Sequence, residues 1–168
     1  LAKEEISLNI IVQKFGGTSV STEDRRKQVA IKVKEAIENG FKPIVVVSAM
    51  GRKGQPYATD TLLTLIDDKF KEANRNSKDL LMCCGEIISS VVVANALYNE
   101  GIEAVPLTGG QAGIITDDNF CEAEYISIDI DRLLSVVREG KVPVVTGFQG
   151  ITKDGYFTTL GRGGSDTT

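Results

Sequence analysis

The sequence predicts an α/β fold in which helices cover a mostly parallel β-sheet. Two nearly continuous apolar runs, at 44–47 and 142–146, are typical of parallel strands that are covered on both faces. Between a strand expected at 9–14 and the first of these runs, apolar residues recur every four positions over 29–37, which indicates an amphipathic helix. Strand, helix and strand in this order form a βαβ unit. The expected architecture is therefore a three-layer αβα sandwich.

Capping residues mark the ends of the expected helices. Ser21 is a candidate N-cap for the first helix, and Gly40 stands where a glycine after the last turn would end it. Helical sequence is then expected over 60–73 and over 77–99, with Gly101 ending the second stretch. No linker divides the chain, so one domain is expected.

Shorter elements are expected in the second half of the chain. Apolar and β-branched segments predict strands at 104–107, 114–116 and 125–128, before the buried run at 142–146. A helix is expected over 130–139, ending at Gly140. An Asp-Gly pair between strand-forming residues predicts a hairpin turn within 151–158.

Composition excludes several classes of function. The 168 residues are enough for one domain with a sizeable core, and a net charge of −4 argues against broad binding to nucleic acid or anionic membranes. The chain contains no histidine, which excludes Ser-His-Asp and Cys-His catalysis and histidine-ligated zinc. It has neither a signal peptide nor an apolar run near the roughly 18 residues of a membrane span. A soluble cytoplasmic protein is therefore expected.

Cysteines and clustered carboxylates do not form a metal-site pattern. Cys83, Cys84 and Cys121 lack C-x-x-C spacing and cannot all pair with one another, which fits a reducing compartment. The carboxylates within 117–131 do not match the spacing of a calcium-binding loop, so a solvated acidic surface is expected. We expect no metal ion held by the protein alone.

The most informative stretch is KFGGTSV, at 14–20. A strand ends in Lys14, the pair Gly16 and Gly17 allows a tight turn, and hydroxyl residues lead towards a helix. Peptide N–H groups at such a turn, the positive end of the helix and a lysine can together hold phosphate. A plain turn with a solvated lysine is the alternative, because neither G-x-x-x-x-G-K-[ST] nor G-x-G-x-x-G occurs in the chain.

Two residues further along the chain are candidates for the same site. Ser48 follows the second strand, and α/β sheets hold ligands at the carboxyl ends of their strands, so Ser48 and Lys14 are expected on one rim. Glu86 lies in markedly apolar sequence and needs a cationic partner if it is buried. The alternative for Glu86 is a solvated charge at the edge of its helix.

The last ten residues have the pattern of an anion site. Arg162 is surrounded by three glycines, and Ser165 with Asp166 would cap a helix whose body is not present. We therefore expect the chain to be a fragment. A flexible glycine-rich tail is the alternative when this stretch is considered alone.

Several of these segments together resemble the aspartate kinases of the amino-acid kinase family. They lie at 14–20, 47–51, 85–86, 147–150 and 159–168, in the same order and at compatible spacing as in that family. The resemblance implies the carbamate kinase-like fold, with 9–168 as the N-terminal, amino-acid-binding and phosphate-binding part of a kinase domain. Residues 1–8 are expected to be a polar leader, partly derived from an expression vector. The half that binds ATP and the regulatory ACT domains would follow residue 168.

The activity implied by this resemblance is ATP-dependent phosphorylation, with Mg²⁺, of the side-chain carboxylate of L-aspartate. The product would be 4-phospho-L-aspartate, at the entry to lysine, threonine and methionine synthesis. The intact enzyme would be a cytoplasmic homo-oligomer that binds a small-molecule substrate and neither nucleic acid nor membrane. The 168-residue chain alone is expected to lack appreciable kinase activity, because half of the active site would be missing.

The resemblance also implies roles for individual residues. Lys14 would stabilise the transferred phosphoryl group, and the phosphate-binding residues would be Lys14, Gly16, Gly17, Gly163 and Gly164. Arg162 would bind the substrate α-carboxylate in a bidentate manner. Glu86 and Asp166 would bind the α-ammonium group or orient Lys14, which makes Lys14 and Asp166 the catalytic pair.

Hydroxyl groups complete the implied substrate site. They would come from Ser48, Thr59 and Ser165, and Asp60 and Thr61 remain alternatives to Thr59. A glutamate kinase or a uridylate kinase is the nearest rival, although Arg162 and Glu86 favour an α-amino acid over a nucleotide. A non-catalytic binding or assembly domain is the rival from a different class.

Overall fold

Residues 8–161 are described by the computed structural model, and residues 1–7 and 162–168 lie outside the described part. Most of the expected strands and helices are present. In chain order the elements are β1 (Ile10–Phe15), α1 (Glu23–Glu38), β2 (Lys42–Val47), α2 (Thr59–Leu62), α3 (Asp68–Ala73), α4 (Arg75–Asn99), β3 (Ala104–Leu107), β4 (Ile114–Thr116), β5 (Tyr125–Ile128), α5 (Asp131–Arg138), β6 (Val142–Thr146), β7 (Gln149–Ile151) and β8 (Phe157–Thr159).

Two four-stranded sheets organise these elements. The first sheet is wholly parallel, with the order β1-β2-β6-β3, and its register places Phe15 beside Val47 and Val47 beside Thr146. The last residues of β1, β2 and β6 therefore lie side by side. The second sheet has the order β5-β4-β7-β8 and is mixed, because only β4 and β7 run parallel. The sequence did not indicate that the later strands form a sheet of their own.

Alternate residues of the buried strands face opposite helices, which confirms the three layers. On one face, Val45 and Val47 of β2 share a core with residues of α1 and α4. On the other face, Ile44 and Val46 share a core with Val136 and Val137 of α5. A strand covered on both sides explains why the β2 sequence is apolar without alternation.

The first helix begins one residue later than Ser21 predicts. The hydroxyl of Thr22 accepts the backbone N–H of Arg25 at 3.3 Å, so Thr22 is the N-cap. The hydroxyl of Ser21 instead donates to the carbonyl of Thr18 at 2.9 Å, within the glycine turn. Gly40 ends the helix with a φ of +81°, as expected for a glycine after the last turn.

The helix expected over 60–73 is interrupted. α2 gives way to a 3₁₀ turn at Leu63–Leu65, and Ile66 is extended before α3 begins. The hydroxyl of Thr64 donates to the carbonyl of Thr61, and a side chain that bonds to nearby backbone competes with the helical ladder. The prediction of one continuous helix over 60–73 was therefore wrong.

α4 is the long helix that joins the two sheets. Its composition includes an 18-residue window of mean hydropathy 1.9, enough by length and composition to cross a membrane, so the expectation of no such run needs correction. Its buried face nevertheless packs within the protein: Val93 and Leu97 lie in the core of the first sheet, and Cys83 lies against the backbone of Thr158. These contacts identify α4 as a core helix.

Candidate active site

A cleft of about 250 Å³ opens at the carboxyl ends of β1 and β2. Its walls come from the turn after β1, the loop after β2, the start of α2, the middle of α4 and the turn after β6. The lining residues are Gly17, Ser48, Ala49, Gly51, Arg52, Lys53, Ala58, Thr59, Asp60, Glu86 and Phe148. This is the edge at which parallel α/β sheets hold their ligands.

The glycine turn is packed directly against the loop after β2. The N–H of Gly51 donates to the carbonyl of Gly17 at 3.0 Å, and a side chain at position 17 would collide with the carbonyl oxygen of Ala49. Position 16 differs, because a Cβ there would have no atom of residues 8–161 within 4 Å. The two adjacent glycines therefore differ in their steric constraint. Gly17 permits the glycine turn to pack against the loop after β2, whereas the described residues impose no such constraint at Gly16.

Glu86 lies on the wall of the cleft as a buried carboxylate. Its side chain is 3% exposed, and its Oε1 atom accepts the N–H of Ala49 at 3.3 Å. Its Oε2 atom has no hydrogen-bond partner among residues 8–161. Burial raises the pKa of the Glu86 carboxyl from 4.5 to about 7, against the lowering effect of hydrogen bonds from backbone N–H groups. Of the two sequence alternatives for Glu86, the buried one is correct.

Gly85 is the reason Glu86 reaches this position. A Cβ at residue 85 would lie 2.8 Å from the Cβ of Ala49 and 3.2 Å from the carbonyl oxygen of Tyr57. Only a residue without a side chain lets α4 approach the loop this closely. The pair Gly85 and Glu86 therefore combines close helix packing with a carboxylate at the contact point.

The sequence-predicted residues fall into three groups. Gly17, Ser48, Thr59 and Glu86 line the cleft together. Lys14 and Gly16 lie beside it, at the end of β1 and in its turn, and the side chain of Lys14 is exposed. The third group, Arg162, Gly163, Gly164, Ser165 and Asp166, lies outside the described residues.

The alternatives to Thr59 are partly resolved by hydrogen bonding. Asp60 lines the cleft beside Thr59. The hydroxyl of Thr61 accepts the N–H of Gly54 at 3.0 Å and so fastens the loop after β2 to the start of α2. Thr61 therefore supports the loop after β2, which forms part of the cleft lining.

Among the lining residues that had not been assigned to the site from the sequence, three are notable for their charge or backbone conformation. Arg52 and Lys53 bring positive charge to the cleft, and the Nε of Arg52 lies 3.4 Å from the hydroxyl of Thr18, in the glycine turn. Phe148 has a φ of +68°, in the left-handed region that is uncommon for a residue with a side chain. Their position in the loops that follow the buried strands β2 and β6 was the available signal.

Comparison with known proteins identifies the family. A sequence model of the amino acid kinase family matches residues 9–168. The chain belongs to the amino acid kinase family. It is 51% identical over 161 residues to aspartokinase 1 of Bacillus subtilis (strain 168), a match that covers 96% of this chain and 40% of that protein.

Solved structures of the amino acid kinase family have the same fold. Aspartate kinase from Synechocystis matches with a TM-score of 0.71 and 40% identity, over 94% of this chain and 25% of that one. E. coli aspartokinase III in complex with aspartate and ADP matches with a TM-score of 0.72 over 94% of this chain and 44% of that one. At 24% identity, that second likeness shows the fold alone. The chain spans less than half the length of these relatives.

The adjacent glycines of the turn provide a matched test of packing. We expect Gly17→Ala to lower the free energy of unfolding by about 1–3 kcal/mol, because the new methyl group collides with backbone atoms of the neighbouring loop. Gly16→Ala adds the same methyl group where no described residue lies within 4 Å, and its effect should stay below about 1 kcal/mol. Urea unfolding of both variants measures the difference, and equal effects would contradict the packing described.

The burial of Glu86 predicts a pH-dependent stability difference. The folded protein holds the Glu86 proton more tightly than the unfolded chain does, so this residue lowers stability as pH rises from about 4.5 to about 7. Glu86→Gln removes that effect. The stability of the variant relative to wild type should therefore increase across this window, by on the order of 3 kcal/mol.

Chemical unfolding at several pH values between 4.5 and 8 measures this difference. Glu72→Gln, which replaces an exposed carboxylate on α3, is the matched control for the loss of a carboxylate. A stability difference that stays constant with pH for Glu86→Gln would show that Glu86 is not desolvated as described.

Proposed function

We propose that the full-length protein transfers the γ-phosphoryl group of ATP to the side-chain carboxylate of L-aspartate, giving 4-phospho-L-aspartate. The observation that carries this proposal is the buried Glu86 carboxylate in the cleft, with one oxygen unsatisfied among the described residues. Similarity to aspartokinase 1 over 96% of the chain supports the same activity. The proposal concerns the whole protein, because the chain covers 40% of that relative.

The role of Glu86 is to bind the α-ammonium group of aspartate. A buried carboxylate without a cation is costly, and a ligand ammonium supplies both the opposite charge and hydrogen-bond donors for Oε2. The hydroxyls of Ser48 and Thr59, on neighbouring parts of the cleft lining, can bond to the rest of the substrate. The cleft therefore favours a small amino acid over an uncharged ligand.

The chemistry needs no histidine, which the chain lacks. The accepting carboxylate has a reference pKa of about 4 and is already ionised at neutral pH, so no general base is required. Catalysis then depends on positioning the reactants and on stabilising charge on the transferred group. Lys14 supplies a positive charge at the end of β1, with the N–H groups of Gly16 and Gly17 in the adjacent turn.

Two positively charged side chains that line the cleft add to the proposed site. Arg52 and Lys53 line it together, and the contact of Arg52 with Thr18 links the loop after β2 to the glycine turn. We assign both side chains to binding anionic groups, either a carboxylate of aspartate or a phosphate of ATP. They give the cleft a local positive charge in a chain whose net charge is −4.

The remaining roles belong to residues outside the described part. Arg162 would bind the α-carboxylate with its planar fork, Ser165 would supply a hydroxyl, and Asp166 would orient Lys14 or the α-ammonium group. The N–H groups of Gly163 and Gly164 would contact phosphate. These assignments rest on the motif positions in the sequence.

ATP is the phosphoryl donor in this proposal, and Mg²⁺ enters bound to its phosphates. No cluster of three potential metal ligands occurs within 8–161, which suits a metal that keeps several waters and is held mainly through the nucleotide. We further propose a cytoplasmic homo-oligomer acting at the entry to lysine, threonine and methionine synthesis. The 168-residue chain alone should show no appreciable turnover, because it covers only 40% of aspartokinase 1.

Two rival functions make different predictions. A glutamate kinase or uridylate kinase would use the same sheet and glycine turn with another acceptor. If the chain is a non-catalytic binding or assembly domain, Lys14→Ala would leave phosphorylation by the full-length protein intact. The buried Glu86 favours an acceptor with an ammonium group over a nucleotide.

Lys14 is the residue whose replacement tests the kinase function. In the full-length protein, Lys14→Ala should lower kcat by about two to four orders of magnitude, because the charge that stabilises the transferred group is lost. Lys34→Ala removes an exposed lysine of α1 and should leave kcat unchanged. A hydroxamate assay for the acyl phosphate, with aspartate and glutamate as acceptors, and an ADP-release assay with UMP measure both rate and specificity.

Each outcome of these assays has a definite meaning. Phosphorylation of aspartate above glutamate and UMP supports the proposed function. Preference for either other acceptor would replace it with the corresponding rival. Full activity of Lys14→Ala would overturn the assignment of Lys14.

A further inference from the structure

A second buried carboxylate lies on the same helix as Glu86. Asp79, in the second turn of α4, is 0% exposed, and it precedes Glu86 by seven residues, about two helical turns. Residues at this spacing lie on one face of a helix. In the sequence, Asp79 lies between Lys78 and Leu80, a context typical of a solvent-exposed residue. Its spacing of seven residues from Glu86 was the available signal that the two share one face of the helix.

Asp79 is held by three donors. Its Oδ2 atom accepts the N–H groups of Cys121 at 2.8 Å and Thr159 at 3.0 Å, and its Oδ1 atom accepts the hydroxyl of Thr159 at 2.6 Å. Such charge-assisted hydrogen bonds are stronger than neutral ones and are directional. Two of the three donors belong to one residue, Thr159, so that residue is fixed in both position and orientation.

Thr159 is the last residue of β8, and its neighbours are fixed as well. Its carbonyl accepts the N–H of Ala123 at 3.0 Å, and the N–H of Leu160 donates to the carbonyl of Phe148 at 2.9 Å. Phe148 lines the cleft. The strand end is therefore tied to α4, to the segment after β4 and to the cleft wall, three residues before Arg162 in the sequence.

We propose that Asp79 is a positioning residue for substrate binding: it fixes the end of β8 to the helix that carries Glu86. The proposal rests on the proposed function, in which Glu86 binds the α-ammonium group and Arg162 binds the α-carboxylate of the same aspartate. These two charged groups of the substrate are attached to one carbon atom. α4 carries Glu86 and, through Asp79, fixes Thr159, which precedes Arg162 by three residues in the sequence.

The contacts explain why a carboxylate is needed at this position. The backbone N–H groups of Thr159 and Cys121 can only donate, and the hydroxyl of Thr159 donates as well, so an ionised carboxylate accepts all three hydrogen bonds. Asn at position 79 keeps one oxygen for the two N–H groups, and its NH₂ group then faces the hydroxyl of Thr159, which must rotate to accept, so the short charge-assisted bond to Oδ1 is lost. The expected result is a displaced end of β8 in a protein that still has its apolar core.

The test compares Asp79→Asn with a matched variant in the full-length protein. We expect Asp79→Asn to raise the KM for aspartate by about tenfold while the KM for ATP changes less than about twofold. Asp117→Asn is the control, because the side chain of Asp117 also accepts two backbone N–H groups, those of Asn119 and Glu124, and neither belongs to β8. The control should leave both KM values within about twofold of wild type.

A double-mutant cycle with Arg162 separates positioning from general stability. If Asp79 acts through Arg162, the roughly tenfold effect of Asp79→Asn should fall below about twofold in an Arg162→Lys background. Should Asp79→Asn fail to fold, Thr159→Val replaces it in the same cycle, since it removes only the hydroxyl donor to Oδ1. Thr159→Ser, which keeps the hydroxyl, should restore the KM for aspartate to near the wild-type value.

Each result decides between definite alternatives. A lower melting temperature with an unchanged KM for aspartate would overturn the positioning role and leave Asp79 with a purely structural one. Effects of Asp79→Asn and Arg162→Lys that multiply independently would overturn it too. Failure of the wild-type protein to phosphorylate aspartate would contradict the proposed function itself, and this proposal with it.

Discussion

The contact between α4 and the loop after β2 is the constraint on which the candidate site depends. Gly85 lets the helix approach Ala49, and the carboxylate of Glu86 then meets the N–H of Ala49 at 3.3 Å. The same loop contacts the glycine turn, because the N–H of Gly51 donates to the carbonyl of Gly17. Two glycines on different elements thus permit the close approach that creates the cleft.

The electrostatic consequence is a carboxylate that is costly to ionise until a cation binds. Burial raises the pKa of Glu86 to about 7, so the ionised form is less favourable at neutral pH than it is for an exposed glutamate. A ligand ammonium stabilises the ionised form, and binding energy therefore depends on the ligand carrying that charge. Asp79 differs, because three donors satisfy it within the protein. One helix thus carries a carboxylate with three hydrogen-bond donors and another with one oxygen that has no partner among residues 8–161.

The sequence predicted features that depend on local pattern, and missed those that depend on packing between distant elements. The parallel strand at 44–47 and the helix end at Gly40 follow from composition and backbone geometry, and both were correct. The N-cap was misplaced by one residue because Ser21 and Thr22 are equally suitable, and hydrogen bonding to the glycine turn decides between them. For Glu86 the apolar surroundings in the sequence left burial as one of two alternatives, and the partners of Asp79, which lie in distant segments, follow from no local pattern.

The most direct test of the account is the titration of the Glu86 carboxyl itself. Carbon-13 NMR of glutamate-labelled protein, with the Glu86→Gln spectrum to assign the signal, measures its midpoint with and without L-aspartate. The account predicts a midpoint near 7 in the free protein that falls towards the ordinary value of about 4.3 when aspartate binds. A midpoint that is near 4.3 in the free protein and unchanged by aspartate would contradict the claim that Glu86 is desolvated and that a ligand ammonium group stabilises its ionised form.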